Sequence, residues 1–157
     1  MITLRKSDFS AEDVQKIRQI LLEYADSLNI SLDFQHFDQE LADLQSLYGW
    51  PTGCIILAED EKKQVLGCVA LKPLKETGVC EMKRLYVRPG GQKKGTGRKL
   101  AEAIIDFSRK AGYHTMKLDS LKSLSSALKL YEKLGFVPTA PYVHNPHPDA
   151  VYMELIL

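Results

Sequence analysis

Apolar residues near the start of the chain recur at helical spacing. Val14, Ile17, Leu21, Tyr24, Ala25 and Leu28 share one face, which predicts an amphipathic helix over residues 11–28. Ser10 stands where an N-cap belongs, with Asp13 three residues on in the manner of a capping box. Ahead of it, Ile2 to Arg5 reads as a short strand. Leu41, Leu44 and Leu47 predict a second helix over 37–48, ended by Gly49-Trp50-Pro51. The period then shortens. Cys54 to Ala58 and Val65 to Leu71 are apolar runs separated by a charged turn, the pattern of a β-hairpin, and residues 79–87 form a third strand. A helix from Gly97 to Ala111 follows, stopped by Gly112. A strand at 114–119, a helix at 124–134 and strands at 136–142 and 150–157 complete the pattern. This order predicts an α/β (α+β) fold with a mostly antiparallel sheet and helices inserted between strands.

Composition narrows the function classes. The 157 residues make one ordinary domain, 1–157, with 45% hydrophobic and 26% charged residues, the balance of a folded globular chain. A net charge of +1 gives no general attraction to nucleic acid or an anionic membrane, so neither is expected as a partner and any anion site must be local. No segment approaches the length of a membrane span. Cys54, Cys68 and Cys80 form no CxxC pair and leave an odd count, which fits reduced thiols and a cytoplasmic location.

The chemistry concentrates at residues 82–100. A strand ending Leu85-Tyr86-Val87 leads through Arg88-Pro89-Gly90-Gly91 into Gln92-Lys93-Lys94-Gly95-Thr96-Gly97-Arg98 and directly into a helix. A helix N-terminus offers unpaired N–H groups and the positive end of its dipole, and glycines let the backbone approach an anion closely. The segment is no Walker A loop, because Thr96 stands where the lysine after Gly95 is required. Nor is it a dinucleotide fingerprint, since Leu100 replaces the third glycine or alanine.

The spacing Gln92-x-x-Gly95-x-Gly97 after a Leu-Tyr-Val-x-Pro strand resembles the GCN5-related N-acetyltransferase (GNAT) superfamily. Ala127-Leu128-Lys129-Leu130-Tyr131-Glu132-Lys133-Leu134-Gly135-Phe136 is similar to that family's second segment, A-x-x-L-Y-x-x-x-G-F. The resemblance implies a six- to seven-stranded sheet flanked by about four helices. It also implies acetyl-CoA as the acyl donor, no metal, and transfer to a primary amine of a small metabolite or amino acid by direct attack in a ternary complex. An acyl-CoA sensor without turnover, or a protein or peptide N-acetyltransferase, are the other readings it allows.

Carried over residue by residue, the resemblance places Leu85, Tyr86 and Val87 along the pantetheine arm. The pyrophosphate falls on the amides of Gln92, Lys93, Lys94, Gly95, Thr96, Gly97 and Arg98. Glu81 matches the glutamate that serves histone-acetylating relatives as general base, and Tyr131 the tyrosine facing the cofactor sulfur. Where many members carry Asn, this chain has Leu124, with Ser123, Ser125 and Ser126 beside it. The acceptor is expected to meet Arg84 and the loop residues Tyr142, His144 and Asn145. Alternation along the strand puts Met82, Arg84 and Tyr86 on one face and Glu81, Lys83, Leu85 and Val87 on the other. His144 and His147 flank Pro146, a poor metal arrangement with no third ligand nearby. Family members also pair through their last strands, so Val151 to Leu157 is the expected edge of a homodimer.

Overall fold

The computed structural model describes residues 1–33 and 36–157. Its elements, in order, are β1 (Thr3–Lys6), α1 (Ala11–Leu28), α2 (Phe37–Ala42), α3 (Leu44–Tyr48), β2 (Cys54–Glu59), β3 (Val65–Pro73), β4 (Val79–Val87), α4 (Thr96–Lys110), β5 (Thr115–Leu121), α5 (Ser125–Leu134), β6 (Val137–Pro138) and β7 (Ala150–Ile156). The strands form one seven-stranded sheet in the order β1-β2-β3-β4-β5-β7-β6. Every neighbouring pair is antiparallel except β4 and β5, which run parallel.

Alternation along the strands feeds two apolar layers. Cys54, Ile56 and Ala58 of β2 point to the layer that α4 and α5 cover with Leu100, Ala101, Ile104 and Tyr131. Ile55 and Leu57 point to the opposite layer, closed by Ile17, Ile20 and Leu21 of α1 and by Phe37, Leu44 and Tyr48. Burying each large aliphatic side chain of these layers is worth about 1.5–3 kcal/mol relative to leaving it in water.

Two ion pairs set α1 over the sheet. At its start, Arg5 of β1 reaches Asp13 at 2.7 Å and Glu59 at 2.6 Å. Further along, Arg88, just past β4, holds Glu23 through two nitrogens at 2.7 and 2.9 Å and donates to the Val65 carbonyl. The last turns of α1 therefore lie over the end of β4.

Three expectations change. The helix expected over 37–48 is two helices, because Asp43 leaves helical geometry and caps the second through Ser46, giving five α-helices among the described residues where about four were expected. The strand expected over 136–142 is paired only at Val137–Pro138. The faces of β4 also exchange part-way along it. Cys68 opposes Tyr86 but Ala70 opposes Lys83, so Arg84 and Leu85 together face Val69, a β-bulge with Arg84 at φ 61°. Met82 and then Leu85 and Val87 consequently pack toward α4, whereas Tyr86 packs with the α1 layer.

Candidate active site

β4 and β5 share only three register pairs, Val79 with Thr115, Cys80 with Met116 and Glu81 with Lys117. Both strands continue, β4 to Val87 and β5 to Leu121, but without pairing. The sheet therefore opens in its middle. A cleft of about 820 Å³ occupies the gap, walled by Met82 to Val87 on one side and Leu118 to Leu121 on the other. Beyond Glu81, β4 is bonded on its β3 side only, so it offers the cleft a row of main-chain donors and acceptors.

One end of the cleft is main chain. After β4, residues 89–91 make a tight turn, and Thr96 donates its hydroxyl to the Gly91 carbonyl at 2.8 Å, closing the loop on itself. Gln92 is tied back by its side-chain amide to the Val87 carbonyl at 3.1 Å. Lys93 and Gly95 take positive φ, 61° and 73°. The first bond into α4 is Lys99 N–H to Gly95 O at 3.0 Å, leaving the earlier amides as the usual unpaired set of a helix start. A Cβ at Gly95 would meet nothing within 4 Å, so that surface is open. Gln92, Lys93, Gly95, Thr96 and Gly97 lie on the cleft wall. Lys94 and Arg98 do not, and the Arg98 guanidinium is paired with Glu102 at 2.7 Å. An anion held here would meet amides first and side-chain charge second.

Tyr131 projects from α5 onto the wall midway. Its ring packs on Phe136 at 5.7 Å, and burial pushes its phenol well above the usual tyrosine value. It therefore keeps its proton at neutral pH and acts as a donor. Leu124 lines the cleft, as do Ser123, Ser125 and Ser126, in the place where the resemblance led one to look for Asn.

The other end is built from side chains. Tyr24, Leu28, Ile30 and Leu32 come from α1 and the segment after it. Arg84 is 5% exposed and donates to both carboxylate oxygens of Glu40, at 2.9 and 2.8 Å. Its guanidinium lies 5.3 Å from the Phe37 ring and 6.0 Å from that of Tyr24. The Arg84 charge, expected to meet the acceptor, is thus already neutralised within the fold. Glu81 is 1% exposed, lies behind the wall, accepts a hydrogen bond from the Tyr142 hydroxyl at 2.6 Å, and has Lys72 and Lys83 each at 3.8 Å. Burial, then the Glu81 charge, drives the Tyr142 phenol far above its ordinary value, so Tyr142 remains the donor of that bond. Asn145 does reach the cleft, whereas His144 is exposed and off its wall. Among the described residues no group of three or more His, Cys, Asp or Glu is placed to hold a metal.

Two wall residues escaped the sequence reading. Lys83 is mostly withdrawn from solvent, with 10% of its side chain exposed, which lowers its ammonium pKa, while the neighbouring Glu81 opposes that shift. Asp119 of β5 accepts from Asn145 Nδ2 at 3.0 Å. The available signal was a charged residue within a strand, since Asp and Lys are depleted there, but Glu81, Arg84 and Lys117 in the same two strands give the same signal.

The sequence profile of the Acetyltransferase (GNAT) family matches residues 15–136. The chain belongs to the GNAT acetyltransferase family. An uncharacterized N-acetyltransferase of Schizosaccharomyces pombe is 44% identical to this GNAT chain over 144 residues, covering 92% of it and 88% of the yeast protein. A Staphylococcus aureus GNAT acetyltransferase structure superposes with a TM-score of 0.81 at 17% identity, covering 98% of each chain. A Salmonella typhimurium structure solved with its cofactor acetyl-CoA superposes with a TM-score of 0.71 at 24% identity, over 99% of this chain and 94% of that one. These likenesses show that the seven-stranded, mostly antiparallel sheet is the GNAT fold. Among the described residues no helix is long and apolar enough to cross a membrane.

Proposed function

We propose that this GNAT protein transfers acetyl from acetyl-CoA to the primary amine of a small molecule by direct attack in a ternary complex. The observation that carries the reading is the parting of β4 from β5 after Glu81, which opens a slot with strand backbone along it and helix-start amides at its end. An amide-bearing pantetheine arm fits the free side of Leu85, Tyr86 and Val87 as an added strand would. The diphosphate fits the amides from Gln92 to Arg98.

Acetyl-CoA supplies an activated thioester. In the transfer, a C–N bond forms as the C–S bond breaks, and the substrate ammonium gives up two protons in all, one ending on the thiol and one in solvent. Tyr131 donates a hydrogen bond to the departing sulfur. Its raised pKa makes it a donor more than a complete acid, because a thiol of about 8.5 is the stronger acid already. Direct transfer is favoured over an acyl-cysteine route by the state of the thiols. Cys54 and Cys68 are pushed up to about 12 and Cys80 to about 11 by burial, and none is on the cleft wall. Glu81, enclosed by Tyr142, Lys72 and Lys83, serves the site by orienting these groups rather than by touching the amine.

Release of free thiol across a panel of primary amines tests the proposal. Acetyl-CoA at 100 times its Kd should first add about 2.7 kcal/mol of stability. Tyr131→Phe should then lower kcat by tens-fold, the worth of about 2 kcal/mol for a hydrogen bond to developing charge, with the acetyl-CoA Kd unchanged. Binding of acetyl-CoA without thiol release by any amine would make the protein a sensor. No stabilisation at all would remove the reading.

A further inference from the structure

The side-chain end of the cleft has a neighbour. A second, open hollow of about 410 Å³ is lined by Ile30, Ser31, Pro146, His147 and Pro148. Ile30 lines both spaces, and Asn145 on the cleft wall is followed directly by Pro146 in the hollow. The two spaces therefore meet between the segment after α1 and the segment before β7.

Both lips of that opening are fixed by the fold. α1 closes on Asn29, whose left-handed φ of 53° is a usual helix ending. Leu32 then anchors the following turn in the core at 6% exposed, and Ile30 packs partly against the same layer. On the other lip, Pro146 and Pro148 have φ locked by their rings. Tyr142 donates to Glu81 of β4 at 2.6 Å and Asn145 to Asp119 of β5 at 3.0 Å, so this lip is held to both of the strands that part. Asn145 Oδ1 accepts the His147 N–H, and His147 Nδ1 accepts the Asp149 N–H, each at 3.1 Å, which sets the imidazole between the two prolines.

We propose that the acceptor is a primary amine with an extended apolar arm, and that this arm passes Ile30 and lies in the hollow against Pro146 and Pro148. This rests on the acetyl-transfer reading above and deepens it by naming the substrate class. Acetyl-CoA in that reading fills the backbone end as far as Tyr131. The attacking amine then comes from the other end, along Leu28, Ile30 and Leu32. Lys, Arg, Asp and Glu are absent from the described residues that line the hollow, so it receives the arm by apolar contact rather than by charge. Ile30, shared by both spaces, sets which arms pass. Each methylene buried there is worth about fourfold in binding.

Primary n-alkylamines from propylamine to octylamine, together with 1,8-diaminooctane, are the probes, read by release of free thiol. In wild type kcat/KM should climb at least tenfold from propylamine to octylamine, mainly through KM. Ile30→Asp and, on the opposite lip, Pro148→Glu each place a carboxylate along the path of the arm. Each should cut the octylamine-to-propylamine ratio at least fivefold and raise the ratio of 1,8-diaminooctane to octylamine at least fivefold. A change that only loosened the fold would weaken all three amines together and leave both ratios as they were. Pro148 is exposed, so its variant carries the test should Ile30→Asp fail to fold. Propylamine turnover without any rise along the series in wild type overturns the proposal, as do wild-type ratios in folded Pro148→Glu. Absence of thiol release with every amine is a different result, and it removes the acetyl-transfer reading itself.

Discussion

The two ends of the cleft are made of different materials. Around residues 91–97 a ligand meets backbone: a closed turn, two residues at positive φ, and a helix start whose amides have no acceptor within the helix. Under α1 it would meet side chains, and the charged ones there are already engaged, Arg84 with Glu40 and Asp119 with Asn145, while Glu81 is held behind the wall by Tyr142. A backbone site depends on φ and ψ and tolerates most changes of side chain. A side-chain site depends on the identity of each group and on keeping every buried charge compensated. The first suits a donor that is always the same molecule. The second can be respecified by a few substitutions.

Four measurements would break or sharpen that contrast. The largest effect belongs to the side-chain end. Glu40→Ala leaves the Arg84 guanidinium buried without its partner, and should cost about 3–5 kcal/mol in urea denaturation. A loss under about 1 kcal/mol would mean that the pair is not desolvated as described. Next, Gly95→Ala has room for its methyl but must hold φ at 73°, so it should lose about 1 kcal/mol of stability. Its acetyl-CoA Kd should rise about tenfold by titration calorimetry, equivalent to about 1.4 kcal/mol.

The third concerns pH. Burial lowers the Lys83 pKa from its ordinary value near 10.5, with Glu81, Asp119 and Glu40 opposing the shift and Arg84 assisting it. Between the folded value and the unfolded one, the unfolded chain binds the extra proton, so this residue makes stability rise with pH in that window. Melting curves over the pH range just below 10.5 should show that rise in wild type and lose it in Lys83→Met, while acetyl-CoA affinity follows the same course in both. The smallest effect belongs to the exposed cation of the backbone end. Arg98→Ala removes an i,i+4 pair with Glu102 and should stay within about 0.5 kcal/mol of wild type. Its acetyl-CoA Kd should move less than about twofold; a tenfold loss would show that the anion is held by side chains after all.

The same contrast governs what could be read in advance. Spacing exposed the backbone end, because glycine at 95, a strand before it and a helix after it leave a periodic trace in residue types. The long helices and the core strands were legible for the same reason. Residues 37–48 misled, since Leu41, Leu44 and Leu47 keep helical period across a break that Asp43 imposes by capping Ser46. The bulge at Arg84 was invisible. Alternation carries no mark of an extra residue, so side chains before and after it were grouped on common faces that the bulge separates. Asp119 was missed because a lone acid in a strand acquires meaning only when the loop carrying Asn145 folds against it. Arg84 and Glu81 were recognised as charged groups near the centre, but their partners lie 44 and 61 residues away, beyond the reach of local pattern.

The unzipping of β4 from β5 has a consequence for handling the protein. A strand lacking one neighbour is a template, and any extended peptide of modest polarity can add to it as readily as a slender cosubstrate. Preparations kept saturated with the thioester or its free thiol should therefore resist clumping during storage, and stripping the nucleotide should shorten their shelf life.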